Sequence, residues 1–163
     1  MILSSERYRQ KKMILTSTTP ENTREIGRKI GEVCVSGDWI GLTGELGAGK
    51  TCLTQGLGAG LGVSSNIQIC SPTFVIHRTY AGKQELHHLD LYRISESVEL
   101  FELGYFELIE SDGVCVVEWF ERVPQARPDN NLVISLDIID EQERTLEFSG
   151  KGTLFDKILS VLN

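Results

Sequence analysis

The stretch Gly44-Glu45-Leu46-Gly47-Ala48-Gly49-Lys50-Thr51 matches G-x-x-x-x-G-K-[ST] without a mismatch, and this pattern is built to hold phosphate. Glycines let backbone N–H groups curl toward phosphate oxygens where a Cβ would obstruct them. A helix opening near Lys50 aims its partial positive end at the same anion. Lys50 is placed to reach the β- and γ-phosphates as a point charge, and the Thr51 hydroxyl to ligate Mg²⁺. The pattern is meaningful only between a strand and a helix. Trp39-Ile40-Gly41-Leu42-Thr43 supplies a short, mostly apolar run before it, and Leu53, Leu57 and Leu61 repeat at helical spacing after it.

Such a loop needs an acidic partner at the end of a neighbouring strand, to hold Mg²⁺ or polarise water. Val114-Cys115-Val116-Val117 followed by Glu118 fits: ligands collect at the carboxyl ends of strands in open α/β sheets. A second carboxylate, Asp90, lies in His87-His88-Leu89-Asp90-Leu91-Tyr92-Arg93. Strand alternation puts His88, Asp90 and Tyr92 on one face, where Asp90 could orient water or groups around Mg²⁺. One histidine per face is too few for a metal site of its own. Ser71-Pro72-Thr73-Phe74 adds two hydroxyls on a proline-stiffened loop, suited either to sensing a γ-phosphate or to making a plain turn.

The elements that must position these groups are legible in outline. Met13-Ile14-Leu15 reads as an edge strand. Thr18-Thr19-Pro20-Glu21 opens a helix with a stripe of Ile26, Ile30 and Val33 that ends near Gly37. Glycines 58, 60 and 62 release the chain from the loop's helix into Ser64-Ser65-Asn66. Phe74-Val75-Ile76 and Leu86 to Leu91 flank Ala81-Gly82-Lys83 as a hairpin. Ser95 caps a helix with Val98, Leu100, Phe101 and Leu103, and a short helix follows at Phe106 to Ile109. Leu132–Ile138 and Thr145–Phe148 form two more strands across Asp140-Glu141, before a last helix from Leu154 to Leu162. Alternating strands and helices predict a three-layer α/β/α sandwich of the P-loop NTPase class, with a mostly parallel central sheet plus antiparallel hairpin elements.

At 163 residues the chain has room for one ordinary domain, expected over residues 13–163 behind a loose basic arm, 1–12, that carries Arg7, Arg9, Lys11 and Lys12. A net charge of −7 argues against a broad grip on nucleic acid. Cys34, Cys52, Cys70 and Cys115 show no metal-ligand spacing, as in a reducing compartment. No apolar run reaches the length of a membrane span, so a cytoplasmic protein is expected.

The ordered set Gly44 to Thr51, Ser71-Pro72-Thr73-Phe74, His88-Leu89-Asp90-Leu91-Tyr92-Arg93 and Val117-Glu118-Trp119 resembles the TsaE family, the small ATPases of bacterial tRNA threonylcarbamoyladenosine biosynthesis, over roughly residues 14 to 150. The resemblance implies an ATPase that works with TsaB and TsaD and meets tRNA only through them. It implies ATP and Mg²⁺ as cofactors and Lys50, Asp90 and Glu118 as catalytic residues. Thr51 and Glu118 match the metal ligands. Glu45, Leu46, Gly47, Ala48, Gly49, Lys50, Thr51, Thr73 and Arg144 match the nucleotide-binding positions, and Ser71 to Phe74 a switch-like loop. The chain departs from the common family pattern at Phe120, where a proline often stands, and in its longer amino terminus. A small-molecule or nucleoside kinase would use the same loop, but residues 94–113 hold no Lys or Arg for a basic lid. A regulatory GTPase would carry [NT]-K-x-D and D-x-x-G tetrapeptides after Lys50, and neither occurs.

Overall fold

A computed structural model describes residues 11–163. The helix β1 leads into shows how local chemistry sets an element's start. After β1 (Lys12–Ser17), Thr19 takes an extended conformation, its hydroxyl accepts from the Asn22 N–H, and Pro20 occupies the first helical turn, so α1 (Pro20–Val33) begins where the capping residues require. It ends at Val33, four residues before Gly37, where the N–H of the capping Cys34 bonds back to the Ile30 and Gly31 carbonyls.

β2 (Trp39–Thr43) runs into the glycine loop and then α2 (Lys50–Gly60). The chain continues through β3 (His77–Tyr80), β4 (Leu86–Asp90), α3 (Ser97–Glu102), α4 (Tyr105–Ile109), β5 (Val114–Glu118), β6 (Asn131–Ile138), β7 (Arg144–Lys151) and α5 (Thr153–Leu162). The strands form one sheet in the order β1-β7-β6-β2-β5-β4-β3. Its centre, β6-β2-β5-β4, is parallel, and its edges are antiparallel, through β7 and β1 on one side and β3 on the other. The sheet is therefore mixed, with the parallel part where the glycine loop emerges.

Alternation along the parallel strands feeds two cores. Ile40, Leu42, Val114, Val116 and Ile134 meet Ile30 of α1, Leu53 and Leu57 of α2 and Ile158 of α5. Trp39, Leu89, Cys115 and Val117 meet Leu100, Tyr105 and the short 3-10 turns at Phe120 and Ala126 on the other face. This is the three-layer arrangement. On the second face the buried Tyr105 hydroxyl accepts from Trp39 Nε1 at 2.8 Å and donates to the Ala126 carbonyl at 2.5 Å, tying β2, α4 and the 3-10 turns together.

α1 and α2 cross on glycines. A Cβ on Gly27 would collide with the Leu53 carbonyl, and one on Gly56 with that of Arg24; Gly31 and Gly60 repeat the arrangement a turn on. The two backbones touch, which seats α2 rigidly against α1.

Three local expectations are revised. Lys12 is the first residue of β1, paired with Ser149 and ion-paired with Glu147 at 2.6 Å, so the body starts before residue 13. Lys11 pairs with Asp156 at 3.4 Å, and residues 1–10 of the expected arm lie outside the described residues. Phe74-Val75-Ile76 is not the first hairpin arm: Pro72 accepts from the Val75 and Ile76 N–H groups, making a turn, and β3 starts at His77. Ser95 does not cap α3; Glu96 does, in a reciprocal box with Glu99. Among the described residues no helix is long and apolar enough to cross a membrane.

Candidate active site

Three strand ends converge to build the site. β2 delivers the glycine loop, β4 ends on Asp90 and β5 ends on Glu118, and register sets Asp90 beside Glu118. A pocket of ≈ 250 Å³ lies at this edge, lined by Leu46, Gly47, Gly49, Lys50, Thr51, Ser71, Thr73, Asp90, Glu118 and Trp119. The loop reaches its shape through left-handed glycines, Gly47 at φ 82° and Gly49 at φ 104°, conformations a side chain would oppose. No side chain caps α2 at Gly49, so its first-turn N–H groups are free to serve an anion.

Lys50 is buried and donates to the carbonyls of Gly44 at 2.6 Å and Glu45 at 3.0 Å, with Nζ 5.3 Å from the centre of the Trp119 ring. The ammonium is thus held over an aromatic face at the head of the pocket. Trp119 reaches this position through a left-handed backbone, φ 58°, immediately after Glu118, an uncommon conformation for a bulky residue and one that clusters at functional sites. Its ring also packs edge-on against Tyr92, 5.1 Å away.

Asp90 is buried and fully engaged. One oxygen accepts from the Tyr92 N–H at 2.9 Å, the other from the hydroxyls of Ser71 at 3.3 Å and Thr73 at 3.1 Å. Its visible role is to hold the Ser71–Thr73 loop against the pocket. Phe74, next along, is exposed beneath the Arg93 guanidinium, 4.9 Å from its ring. Glu118 accepts from His88 Nε2 at 2.9 Å.

Some expected nucleotide-binding positions stand back from the pocket wall. The Ala48 N–H is spent on the Glu45 carbonyl at 3.0 Å, and Glu45 itself faces solvent. Arg144 forks onto the loop from behind, donating from Nε to the Ala48 carbonyl at 3.1 Å and from a terminal nitrogen to that of Gly47 at 3.3 Å. Its other terminal nitrogen takes the carbonyls of Asp140 and Glu143. Arg144 therefore braces the loop's backbone and does not line the pocket.

The donor set suits a hard cation. Thr51, Ser71 and Thr73 hydroxyls and the Asp90 and Glu118 carboxylates are all oxygen ligands. No group of three or more His, Cys, Asp or Glu among the described residues is arranged to hold a metal alone, so a cation here would be shared with phosphate oxygens, as Mg²⁺ commonly is. Cys52 is half-buried; burial raises its thiol pKa, and its sulfur faces the Pro20 carbonyl at 3.2 Å. All four cysteines are free.

Sequence reasoning missed two contributors. Trp119 figured only as part of a motif, and His88 as part of a motif and as one histidine on its face, too few for a metal site; the available signal was that Trp119 follows Glu118 and that His88 stands two residues before Asp90 on the same strand face. The neighbouring His87 turns to the other face, where its Nε2 meets the Asp112 carbonyl at 2.9 Å.

Residues 17–146 match the family model described as Threonylcarbamoyl adenosine biosynthesis protein TsaE. Proteins named tRNA threonylcarbamoyladenosine biosynthesis protein TsaE are similar in sequence. That of Treponema pallidum is 36% identical over 82% of this chain and 98% of its own, and that of Bacillus subtilis 33% identical over 90% and 91%. The crystal structure of Bacillus subtilis YdiB superposes with a TM-score of 0.78 at 30% identity, covering 93% of each chain.

Proposed function

The chain belongs to the TsaE family of threonylcarbamoyl adenosine biosynthesis proteins, and on that premise we propose that it binds and hydrolyses ATP with Mg²⁺ in support of this tRNA modification. The observation that carries the proposal is the meeting of Lys50, Thr51, Asp90 and Glu118 with the uncapped start of α2 in one pocket. Lys50 would exchange its bonds to the Gly44 and Glu45 carbonyls for phosphate oxygens, a charge-assisted gain over neutral acceptors. Thr51 and Glu118 would hold Mg²⁺, which when bound neutralises charge developing on the phosphates. Asp90 keeps the Ser71–Thr73 hydroxyls at the pocket edge, where they would meet the terminal phosphate.

The partners in this reading are TsaB and TsaD, in the cytoplasm, with tRNA met only through them. A kinase with the same loop would need a basic lid over the pocket; residues 94–113 instead pack Leu100 and Tyr105 into the core on the opposite face of the sheet. Phosphate release from ATP and from GTP, measured for the protein alone and then with TsaB and TsaD, tests the proposal. Mg²⁺-dependent release from ATP, increased by the partners, is expected. Transfer to a small-molecule acceptor, or no turnover under either condition, would refute it.

A further inference from the structure

His88 lies in β4 opposite Val116 of β5, with its side chain on the same sheet face as Asp90 and Glu118. It is wholly buried, as is nearly all of the Glu118 carboxylate, yet the two meet at 2.9 Å through Nε2 and Oε1. The other ring nitrogen, Nδ1, is buried without any partner. A neutral imidazole has one N–H and one lone pair. Putting the proton on Nδ1 would leave a buried N–H unpaired and set two lone pairs against each other between Nε2 and Oε1, a double penalty. The geometry therefore assigns the proton to Nε2, and His88 donates to Glu118.

That bond is the only one to the Glu118 side chain among the described residues. Asp90, its neighbour, takes three. A carboxylate held at one oxygen by a rigid, buried ring is aimed by that ring, and donors behind metal-binding groups do this commonly. We propose that His88 is a positioning residue: it pins one oxygen of Glu118 and directs the other toward the cation that accompanies the nucleotide. This rests on the ATP and Mg²⁺ reading above and adds to it the group that presents the carboxylate.

The test compares His88→Gln with His88→Asn. The Gln amide nitrogen can stand near the place of Nε2 and still donate to Glu118; the shorter Asn places its amide near Nδ1 and cannot. Both are polar and of modest size, so the comparison does not depend on an apolar replacement folding. ATP affinity is measured by calorimetry in Mg²⁺ and in EDTA, with thermal unfolding of the nucleotide-free proteins alongside. For His88→Asn the affinity gained from Mg²⁺ should fall by about tenfold or more, while affinity in EDTA stays within about threefold, since Lys50 and the loop are untouched. His88→Gln should recover most of the gain. An undiminished Mg²⁺ gain in His88→Asn, or equal impairment of the two variants, would overturn the inference. Wild-type protein that binds ATP equally with and without Mg²⁺ would instead overturn the underlying cation reading, and this inference with it.

Discussion

At the residue scale the pocket's charges have separable jobs. Lys50→Ala leaves a bound phosphate with backbone donors alone, and losing a hydrogen bond to a charged group of about 1.5–3 kcal/mol should weaken ATP binding about 10- to 100-fold. Calorimetric titration checks this, and equal affinity would remove Lys50 from the site. Glu118→Gln should hold ATP affinity measured in EDTA within about tenfold yet cut Mg²⁺-dependent phosphate release about a hundredfold, because a neutral amide is a poor Mg²⁺ ligand. Asp90→Asn keeps an acceptor for the Tyr92 N–H but loses the charge that gathers the Ser71 and Thr73 hydroxyls. It should slow release by a similar factor while unfolding normally; an unchanged rate would leave Asp90 a purely structural group. Arg144 separates bracing from contact. If it acts through the Gly47 and Ala48 carbonyls, Arg144→Ala should cost about 1 kcal/mol, or roughly 2–4 °C in Tm, together with some ATP affinity. Lys, without the fork, should rescue little. Lost affinity at an unchanged Tm would point to direct contact with the nucleotide.

At the element scale the close crossing of α1 and α2 matters because α2 carries Lys50 and Thr51 at its start. Backbones that touch leave no space for a methyl at Gly56, whose Cβ would meet the Arg24 carbonyl. Overpacking of this kind costs about 1–3 kcal/mol, and the better helix propensity of alanine returns at most about 1 kcal/mol. Gly56→Ala should therefore lower the urea midpoint, and ATP affinity should fall with it as the start of α2 shifts. A midpoint equal to or above wild type would show that the helices can part without cost. The exposed ion pairs along α1, Arg24 with Glu21 and Arg28 with Glu25 and Glu32, contribute little by comparison.

At the scale of the whole molecule, charge governs what the protein can approach. A chain of net charge −7 repels a polyanion except at a local basic patch. Arg7 and Arg9 lie outside the described residues, while Lys11 and Lys12 are engaged with Asp156 and Glu147. A gel-shift titration with tRNA at near-physiological salt should give a Kd above roughly 1 μM. Deleting residues 1–10, which spares Lys12 and so all of β1, should leave phosphate release within about twofold. Tight, salt-sensitive tRNA binding that vanishes on this deletion would make the basic segment a functional element and overturn the model of contact through partners alone.

The sequence by itself determined the features whose cause is local. Gly44, Gly47 and Gly49 before Lys50-Thr51, set between an apolar run and a helical stripe, specify a phosphate-binding turn. The apolar run ending in Glu118 specifies a strand buried on both faces, and Thr19-Pro20 specifies where α1 starts. Together with the ordered motif blocks they made the three-layer fold and the family legible. Other features follow from proximity between residues far apart in the chain, which no periodicity records. Phe74-Val75-Ile76 has the composition of a strand, but Asp90 ties down the preceding hydroxyls and the Asp90 N–H takes the Ile76 carbonyl at 2.8 Å, holding Ile76 in a left-handed conformation, φ 67°. The family resemblance sets Arg144 among the nucleotide-binding positions, and the packing of β7 beside the loop brings its guanidinium onto the Gly47 and Ala48 carbonyls. His88 and Glu118 are thirty residues apart, and only the parallel pairing of β4 with β5 joins them. Register along a sheet is a tertiary property, and it was register that turned an isolated histidine into the partner of an acidic residue.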